Sequence, residues 1–279
     1  MTENSINLEV MLKSHLPIIF ELLNEQKLTN YQWKKLNRNF IRIYEKRKKE
    51  YFKNNEYLLV KSNIYDLITS SIKGELKATM LLAFIKKTLE ELTDNLSISE
   101  KKKLRTTVYN LLVSFDSKYY NYLGELLILN NLLRSKDYYL SEIESKIVNK
   151  KTADFLIKKR DDTESHLIEV VNVHVEDAHI DLDKLLTDKL VAKLNDKRDG
   201  ETTYLDFKLV PVIWTSYENL RRVENLYKNG FSISFESVWE PTAFAMFTYP
   251  ENRVIYRFGN ISTLFSIMEE DNTFVVNNS

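Results

Sequence analysis

Apolar residues recur with two different periods along the chain. From about residue 5 to residue 115 they return every three or four positions, which is the spacing of the buried face of an amphipathic helix. A break is expected at Pro17, because its ring cannot continue a helix. The pattern predicts helices over residues 29–52, 56–71, 75–94 and 99–115, so this part is expected to be all-helical.

Shorter apolar runs, rich in β-branched and aromatic residues, follow a further helix predicted over residues 119–135. Strands are predicted over residues 138–140, 153–158, 166–175, 207–214, 231–238, 243–249 and 253–258. Helices are predicted over residues 182–197, 217–228 and 261–268. Strands that alternate with helices are typical of an α/β domain with a mixed sheet.

Length and charge divide the chain in the same way. Its 279 residues correspond to about two domains. Residues 1–117 carry 20 basic and 14 acidic side chains, a net charge of +6, whereas residues 118–279 carry 20 and 26, a net charge of −6. We therefore predict an all-helical N-terminal domain over residues 1–117 and an α/β domain over residues 118–279.

Composition excludes several classes of protein. The chain has no Cys, which excludes a disulfide framework, a thiolate zinc site and a Cys nucleophile. The absence of a glycine-rich phosphate loop, HExxH and GxSxG argues against P-loop ATPases, nicotinamide enzymes, HExxH proteases and α/β-hydrolases. The apolar stretches are far shorter than the ~20 residues that a bilayer requires. We therefore expect a cytoplasmic protein without a membrane span.

Three acidic residues occur where the hydrophobic pattern predicts apolar side chains. Glu125 lies on the apolar side of the helix predicted over residues 119–135. Asp154 lies at the start of a predicted strand, and Glu169 interrupts an otherwise apolar one. A buried carboxylate is costly unless it is paired or binds a metal. An ordinary core salt bridge explains each acid alone, but the three together indicate a functional site.

The order helix-Glu, strand-Asp, strand-Glu resembles the PD-(D/E)xK nuclease superfamily, which has the restriction-endonuclease-like fold. The matching segments are Gly124-Glu125-Leu126, Ala153-Asp154-Phe155 and Ile168-Glu169-Val170. The resemblance covers roughly residues 118–215 and implies an αβββαβ core with a mixed sheet. It also implies hydrolysis of phosphodiester bonds, with Glu125, Asp154 and Glu169 as catalytic residues.

The resemblance further implies one Mg²⁺ or Mn²⁺ as the cofactor. Asp154 and Glu169 are expected to bind it through their carboxylates, and Val170 through its carbonyl oxygen. Glu125 is expected to assist through a water molecule or a second metal ion.

The lysine of the family motif is missing from its usual position. It belongs two residues after the motif Glu, where this chain has Val171. The superfamily is known to place this lysine on a neighbouring element. A helical wheel of residues 182–197 puts Lys189 and Lys193 within an apolar stripe. The leucines that define this stripe are Leu182, Leu185, Leu186 and Leu190. We expect Lys189, with Lys193 as the alternative, to reach the two carboxylates. The other interpretation is that both lysines extend past the stripe into solvent.

A strongly basic segment lies between Lys34 and Lys53, where nine basic and two acidic residues give a net charge of +7. Aromatic residues such as Trp33 and Phe40 are interleaved with them. A helix of this kind can follow a phosphate backbone. The alternative is a solvated helix whose aromatic residues pack into the bundle. The residues expected to bind nucleic acid are Lys34, Lys35, Arg38, Arg42, Lys46, Arg47 and Lys49.

These features favour a metal-dependent endonuclease that acts on nucleic acid, DNA rather than RNA, and the resemblance suits a restriction or phage-defence setting. Val171 leaves a second interpretation open, an inactive nuclease-fold protein that serves as a nucleic-acid-binding or protein-assembly module. A third is an unrelated interaction protein with its acids in core salt bridges. The expected partners are nucleic acid and, through the helical domain, a second copy of the chain or another protein, with no membrane contact.

Overall fold

The computed structural model describes residues 7–23, 28–51, 63–116, 118–147, 151–175, 181–197, 207–216, 219–220, 222, 225, 242–248 and 254–261. The chain forms two compact units, Met1–Tyr139 and Leu140–Ser279. The first unit is helical, and the second contains a mixed sheet. The predicted α/β class, with an all-helical region before the sheet, is therefore confirmed.

Amphipathic helices make up the first unit. They are α1 (Leu8–His15), α2 (Ile18–Leu23), α3 (Asn30–Tyr51), α4 (Ile64–Ile72), α5 (Leu76–Asn95), α6 (Ile98–Val113) and α7 (Tyr119–Leu133). Pro17 lies between α1 and α2, as expected of a residue that cannot continue a helix. The helix α5 packs against α2, α4 and α7, and α6 packs against α2 and α7.

Side-chain caps fix where several of these helices begin. Ser97 accepts a hydrogen bond from the Glu100 backbone while Glu100 accepts one from the Ser97 backbone, which satisfies two N–H groups at the start of α6. Asn63 and Asp66 make the same reciprocal pair at the start of α4. Local residue order is sufficient to specify such caps.

The second unit is built on a sheet in which the described strands follow chain order. They are β1 (Tyr138–Lys146), β2 (Thr152–Lys159), β3 (Ser165–Val175), β4 (Phe207–Ser216), β5 (Thr242–Thr248) and β6 (Val254–Asn260). The pairs β2–β3 and β5–β6 are antiparallel, whereas β3–β4 and β4–β5 are parallel. The parallel step from β3 to β4 is connected through helix α8 (Leu182–Lys197).

The elements from α7 to β4 therefore follow the order helix, three strands, helix, strand that the sequence predicted. Strand β1 is longer than the predicted 138–140. It stands at the edge of the sheet and alternates polar residues such as Glu142 and Glu144, which obscured its hydrophobic pattern.

The boundary between the two compact units falls between Tyr139 and Leu140 of the chain, whereas the sequence analysis predicted a domain boundary after residue 117. The reason is that α7 packs against α5 and α6 of the first unit. Residues on several sides of α7 are buried, among them Leu123, Leu127 and Asn130, so it behaves as an inner helix of the bundle.

Helix α8 is held on the sheet by a continuous apolar cluster. Leu186, Leu190 and Leu194 of α8 pack with Val171 and Val173 of β3 and with neighbouring apolar residues of β4. This packing fixes the rotation of α8 about its axis and therefore decides which of its polar side chains face the sheet.

Several predicted elements lie wholly or mostly outside the described residues. They are the strand over 231–238 and the helices over 217–228 and 261–268, of which residues 219–220, 222, 225 and 261 are described and helical. None of the helices that the structure describes is both long and apolar enough to span a bilayer.

Candidate functional site

Asp154 and Glu169 lie side by side on neighbouring strands. The antiparallel register of β2 and β3 pairs Phe155 with Ile168, and Asp154 and Glu169 are the next positions along the two strands. The Val170 N–H donates a hydrogen bond of 2.7 Å to Oδ2 of Asp154. The strand register thus brings together two acids that are 15 positions apart in the chain.

Two lysines of α8 contact Glu169, whose side chain is only 1% exposed. Lys193 Nζ lies 2.5 Å from Oε1 of Glu169, and Lys197 Nζ lies 3.1 Å from Oε2. A buried carboxylate needs such partners, because burial of an unpaired charge is costly. The site therefore contains two carboxylates and two ammonium groups.

The two lysines differ in their exposure. The Lys193 side chain is 36% exposed, whereas that of Lys197 is 11% exposed. Lys197 also donates a hydrogen bond to the carbonyl oxygen of Thr152, at the start of β2. Lys193 is therefore the lysine that is accessible from solvent, and Lys197 is largely enclosed by the protein.

The end of α8 is fastened to the start of β2 by a second lysine contact. Lys151 Nζ lies 2.5 Å from both the carbonyl oxygen and Oδ1 of Asp196. A cation beside the last carbonyl groups of a helix is also favoured by the helix dipole. This contact and the bond from Lys197 to Thr152 hold the end of α8 beside the strand that carries Asp154.

The electrostatics of the site are strongly perturbed. Burial, and then the charge of Glu169, raise the pKa of Asp154 to about 7, although the Val170 N–H and the two lysines act in the opposite direction. Burial alone lowers the pKa of Lys193, but its hydrogen bond to Glu169 and the nearby carboxylate charges outweigh burial and raise that pKa. A shifted carboxyl group beside a second carboxylate is typical of functional sites.

The structure places Lys189 differently from the sequence prediction, since its side chain is exposed. The apolar stripe that meets the sheet consists of Leu186, Leu190 and Leu194. At 3.6 residues per turn, Lys197 lies about 20° from the centre of that stripe, Lys193 about 60° and Lys189 about 100°. The sequence analysis left out Leu194, so the centre of its stripe was rotated about the helix axis towards Lys189.

Lys197 is the site residue that the sequence analysis missed. The available signal was the spacing of Lys189, Lys193 and Lys197, which recur every four residues beside a leucine stripe of the same period. The charge of Lys189 instead acts on His174, because burial and then this charge lower the pKa of that histidine to about 4.

The position of the missing motif lysine is occupied by core. Val171 is 6% exposed and belongs to the apolar cluster beneath α8. A lysine at this position would place its stem and charge among leucines. The packing of α8 on β3 therefore accounts for an apolar residue here and for cations that come from the helix.

Glu125 lies on α7, in the first compact unit, and is half-buried between the buried residues Gly124 and Leu126. Its partial burial agrees with the predicted orientation towards the apolar side of the helix. Asp154 and Glu169 belong to the second unit. The convergence of Glu125 with these two acids stays a prediction.

Helix α3 carries an exposed basic face in the first unit. The aromatic residues Trp33 and Phe40 are buried together with Leu36, so they pack into the bundle, as the alternative interpretation of this helix had it. The side chains of Lys46, Arg47 and Lys49 lie outside the described residues, although the helix continues to Tyr51. The exposed residues on the basic face are Tyr31, Lys34, Lys35, Arg38 and Arg42.

No protein-family model matches the sequence, and no curated protein matches it either. Among solved structures, the chain is similar to SfsA of Pyrococcus furiosus, determined in complex with Ca²⁺, with 14% sequence identity and a TM-score of 0.23. The match covers 51% of this chain and 63% of that chain, which is less than two thirds of its length.

Proposed function

We propose that this protein is a metal-dependent nuclease that hydrolyses phosphodiester bonds of nucleic acid, with DNA preferred to RNA. The observation that carries the proposal is the group formed by Asp154, Glu169 and Lys193, in which two adjacent carboxylates lie beside an ammonium that remains accessible from solvent. Phosphodiester hydrolysis requires ligands for a divalent cation and a positive charge for the developing phosphate charge.

The donor set is compatible with a divalent cation. Mg²⁺ prefers oxygen ligands and is commonly held by one or two carboxylates together with substrate phosphates. Asp154 and Glu169 supply two carboxylates at adjacent positions of neighbouring strands. In the part of the chain that the structure describes, no group of three or more acidic or histidine side chains forms a fuller metal site.

Asp154 and Glu169 are the proposed ligands of this cation, with the Val170 carbonyl oxygen as a third. When bound, Mg²⁺ or Mn²⁺ lowers the pKa of a water molecule and offsets phosphate charge. The burial that raises the pKa of Asp154 penalises its carboxylate form, so a nearby cation favours ionised Asp154. The raised pKa of Asp154 is consistent with a ligand whose carboxylate form is favoured when a cation binds beside it.

Lys193 replaces the motif lysine in this proposal. Its ammonium lies at the carboxylate pair and is partly open to solvent, so it can stabilise negative charge on a phosphate. The assisting role of Glu125, which lies in the first unit, stays an expectation of the family resemblance alone. Lys189 keeps no direct role at the carboxylates, because its side chain is exposed on another side of α8.

The basic face of α3 is the proposed nucleic-acid contact of the first unit. Lys34, Lys35, Arg38 and Arg42 are exposed, and no ion pair joins them to another described residue. Cations that form no ion pair within the described part of the chain are available to phosphate groups there.

An inactive nuclease-fold protein that binds nucleic acid or assembles with a protein is the second candidate. Two observations favour it. Val171 occupies the position of the motif lysine, and each oxygen of Glu169 already faces an ammonium group. A carboxylate held in this way can serve stability alone.

The test uses the full chain, with single- and double-stranded DNA and RNA, in Mg²⁺ or Mn²⁺. Asp154→Asn and Glu169→Gln are expected to lower the cleavage rate by about 100-fold or more. Asp188→Asn removes an exposed carboxylate of α8 and is the matched control, which should cleave normally. Circular dichroism verifies that each variant is folded.

The outcomes separate the two candidates. Cleavage that survives both Asp154→Asn and Glu169→Gln contradicts the proposed site. Absence of both cleavage and metal binding in the unchanged protein favours the inactive module.

A further inference from the structure

The candidate site is electrically balanced. When all four groups are ionised, the charges of Asp154 and Glu169 are matched by those of Lys193 and Lys197. Two carboxylates alone attract a divalent cation, but two ammonium groups at the same place repel it. The free protein therefore offers a divalent cation a site whose negative charge is already neutralised.

We propose that Lys193 competes with the divalent cation for the Glu169 carboxylate, so that cation binding is weak in the free protein and tight when a nucleic-acid phosphate is present. This inference rests on the proposed nuclease function. It adds an order of events, in which substrate and cation bind cooperatively rather than independently.

Lys193 is the lysine that gives way, because the two ammonium groups are held differently. Lys193 contacts Oε1 of Glu169 and is 36% exposed, so its long side chain can turn towards solvent. Lys197 is 11% exposed and also donates a hydrogen bond to the Thr152 carbonyl oxygen. Lys197 therefore remains in place and acts as a positioning residue, which holds the Glu169 carboxylate beside Asp154.

A phosphate favours the exchange in two ways. It supplies oxygen ligands to a cation that the described side chains can bind through only two carboxylates. It also supplies a negative charge to which the displaced Lys193 ammonium can bind. The same displacement brings Lys193 to the phosphate, where the proposed reaction requires a positive charge.

Mn²⁺ binding and oligonucleotide binding are the measurements that test this inference. Mn²⁺ affinity is measured by titration calorimetry in the unchanged full chain. The affinity for a fluorescein-labelled phosphorothioate oligodeoxynucleotide, which resists hydrolysis, is measured by anisotropy with and without Mn²⁺. We expect Mn²⁺ to raise the oligonucleotide affinity at least about tenfold, and by linkage the oligonucleotide raises the Mn²⁺ affinity equally. Asp154→Asn lacks one of the proposed Mn²⁺ ligands, so it is the control that shows how much Mn²⁺ the oligonucleotide binds by itself.

Lys193→Met is the variant that removes the competing ammonium. Its free form is expected to bind Mn²⁺ at least about tenfold more tightly than the unchanged chain, and oligonucleotide should then raise that affinity by a smaller factor than in the unchanged chain. Lys184→Met removes an exposed lysine of the same helix and should leave both affinities unchanged. The measurement of cooperativity in the unchanged chain requires no variant, so the absence of cooperativity overturns the inference even when Lys193→Met fails to fold.

Two outcomes overturn the inference and leave the nuclease proposal intact, provided that Asp154→Asn still abolishes cleavage. The first is an equal Mn²⁺ affinity in the unchanged chain and in Lys193→Met. The second is that Mn²⁺ has no effect on oligonucleotide binding. Absence of Mn²⁺ binding in every protein, with or without oligonucleotide, contradicts the proposed function itself.

Discussion

The ammonium nitrogen of Lys193 lies 2.5 Å from the Oε1 oxygen of Glu169. The contact joins a helix to the strand beneath it and supplies a cation that the strand itself lacks at Val171. It also separates the roles of the lysines on α8, because Lys197 is enclosed beside the same carboxylate and Lys189 is exposed elsewhere.

Lys193→Met and Lys189→Met distinguish the two lysines that the sequence offered. At saturating Mn²⁺, Lys193→Met should lower the cleavage rate by about 100-fold, because it removes the positive charge at the phosphate. Lys189→Met should change the rate by less than about threefold, as expected of an exposed side chain away from the carboxylates. Single-turnover cleavage of a labelled DNA measures both. A larger loss in Lys189→Met would return the catalytic role to that residue.

Lys197→Met tests the positioning role through stability. It leaves a buried Glu169 oxygen and the Thr152 carbonyl without their partner, so the free energy of unfolding should fall by about 1–3 kcal/mol. Lys151→Met breaks a contact whose side chains are 42% and 54% exposed, and should cost less than about 1 kcal/mol. Urea unfolding followed by circular dichroism gives both values. Equal losses of unfolding free energy would show that Lys197 stabilises the fold no more than the exposed pair of Lys151 and Asp196 does.

The raised pKa of Asp154 predicts how stability depends on pH. Its carboxyl group has a pKa of about 7 in the folded protein, because of burial and then the charge of Glu169, and about 4 when unfolded. The folded state therefore holds the proton more tightly, and its contribution to stability is fully present below about pH 4 and lost as the pH rises through about 7. Lys193 and Lys197 face the same group and limit this loss.

The pH dependence of His174 has the opposite direction. Burial and then the charge of Lys189 lower its pKa to about 4. Its contribution to stability is therefore present above about pH 6.5 and lost as the pH falls through about 4. The informative quantity is therefore the difference between Asp154→Asn and the unchanged chain. Melting temperatures are measured without divalent cations from pH 4 to pH 8 in steps of one pH unit. The melting temperature of the variant should rise relative to that of the unchanged chain as the pH increases. A difference that does not change with pH would mean that Asp154 titrates normally.

Val171→Lys tests whether the family position can accept the lysine. The new ammonium would lie in the apolar cluster beneath α8, so we expect a loss of about 3 kcal/mol or more and no gain in cleavage. Val171→Met has a side chain of similar length without the charge and is the matched control, with an expected loss below about 2 kcal/mol. Thermal unfolding and cleavage assays compare the two. Higher activity in Val171→Lys would indicate that α8 is not the natural source of the cation.

The basic face of α3 predicts a salt-dependent affinity for nucleic acid. The double substitution Lys34→Gln, Lys35→Gln should weaken DNA binding and reduce the slope of log affinity against log salt by about 1–2, because up to two phosphate contacts are lost. Lys87→Gln, Lys102→Gln removes two exposed lysines from other helices and serves as the control. Anisotropy titrations over a range of salt concentrations give the slope. An unchanged slope would remove α3 from the nucleic-acid interface.

Much of the local structure follows from residue order alone. Helix α8 has the predicted bounds Leu182–Lys197, and β3 begins one residue before its predicted start. The capping pair of Ser97 and Glu100 has the three-residue spacing of a capping box, which is a feature of local residue order. The physical reason is that apolar periodicity and capping are set by backbone geometry over a few residues. The same local pattern identified Asp154 and Glu169 as acids in apolar strands.

Only the tertiary structure decided which cation meets those acids. Successive helix positions differ by about 100°, so leaving Leu194 out of the apolar stripe was enough to favour Lys189 over Lys193 and to miss Lys197. The rotation of α8 is set by the packing of Leu186, Leu190 and Leu194 against β3 and β4, and these contacts join residues far apart in the chain. The sequence by itself determined the elements and the buried acids, whereas side-chain packing between elements determined the composition of the site, because such packing depends on distant contacts that no local pattern contains.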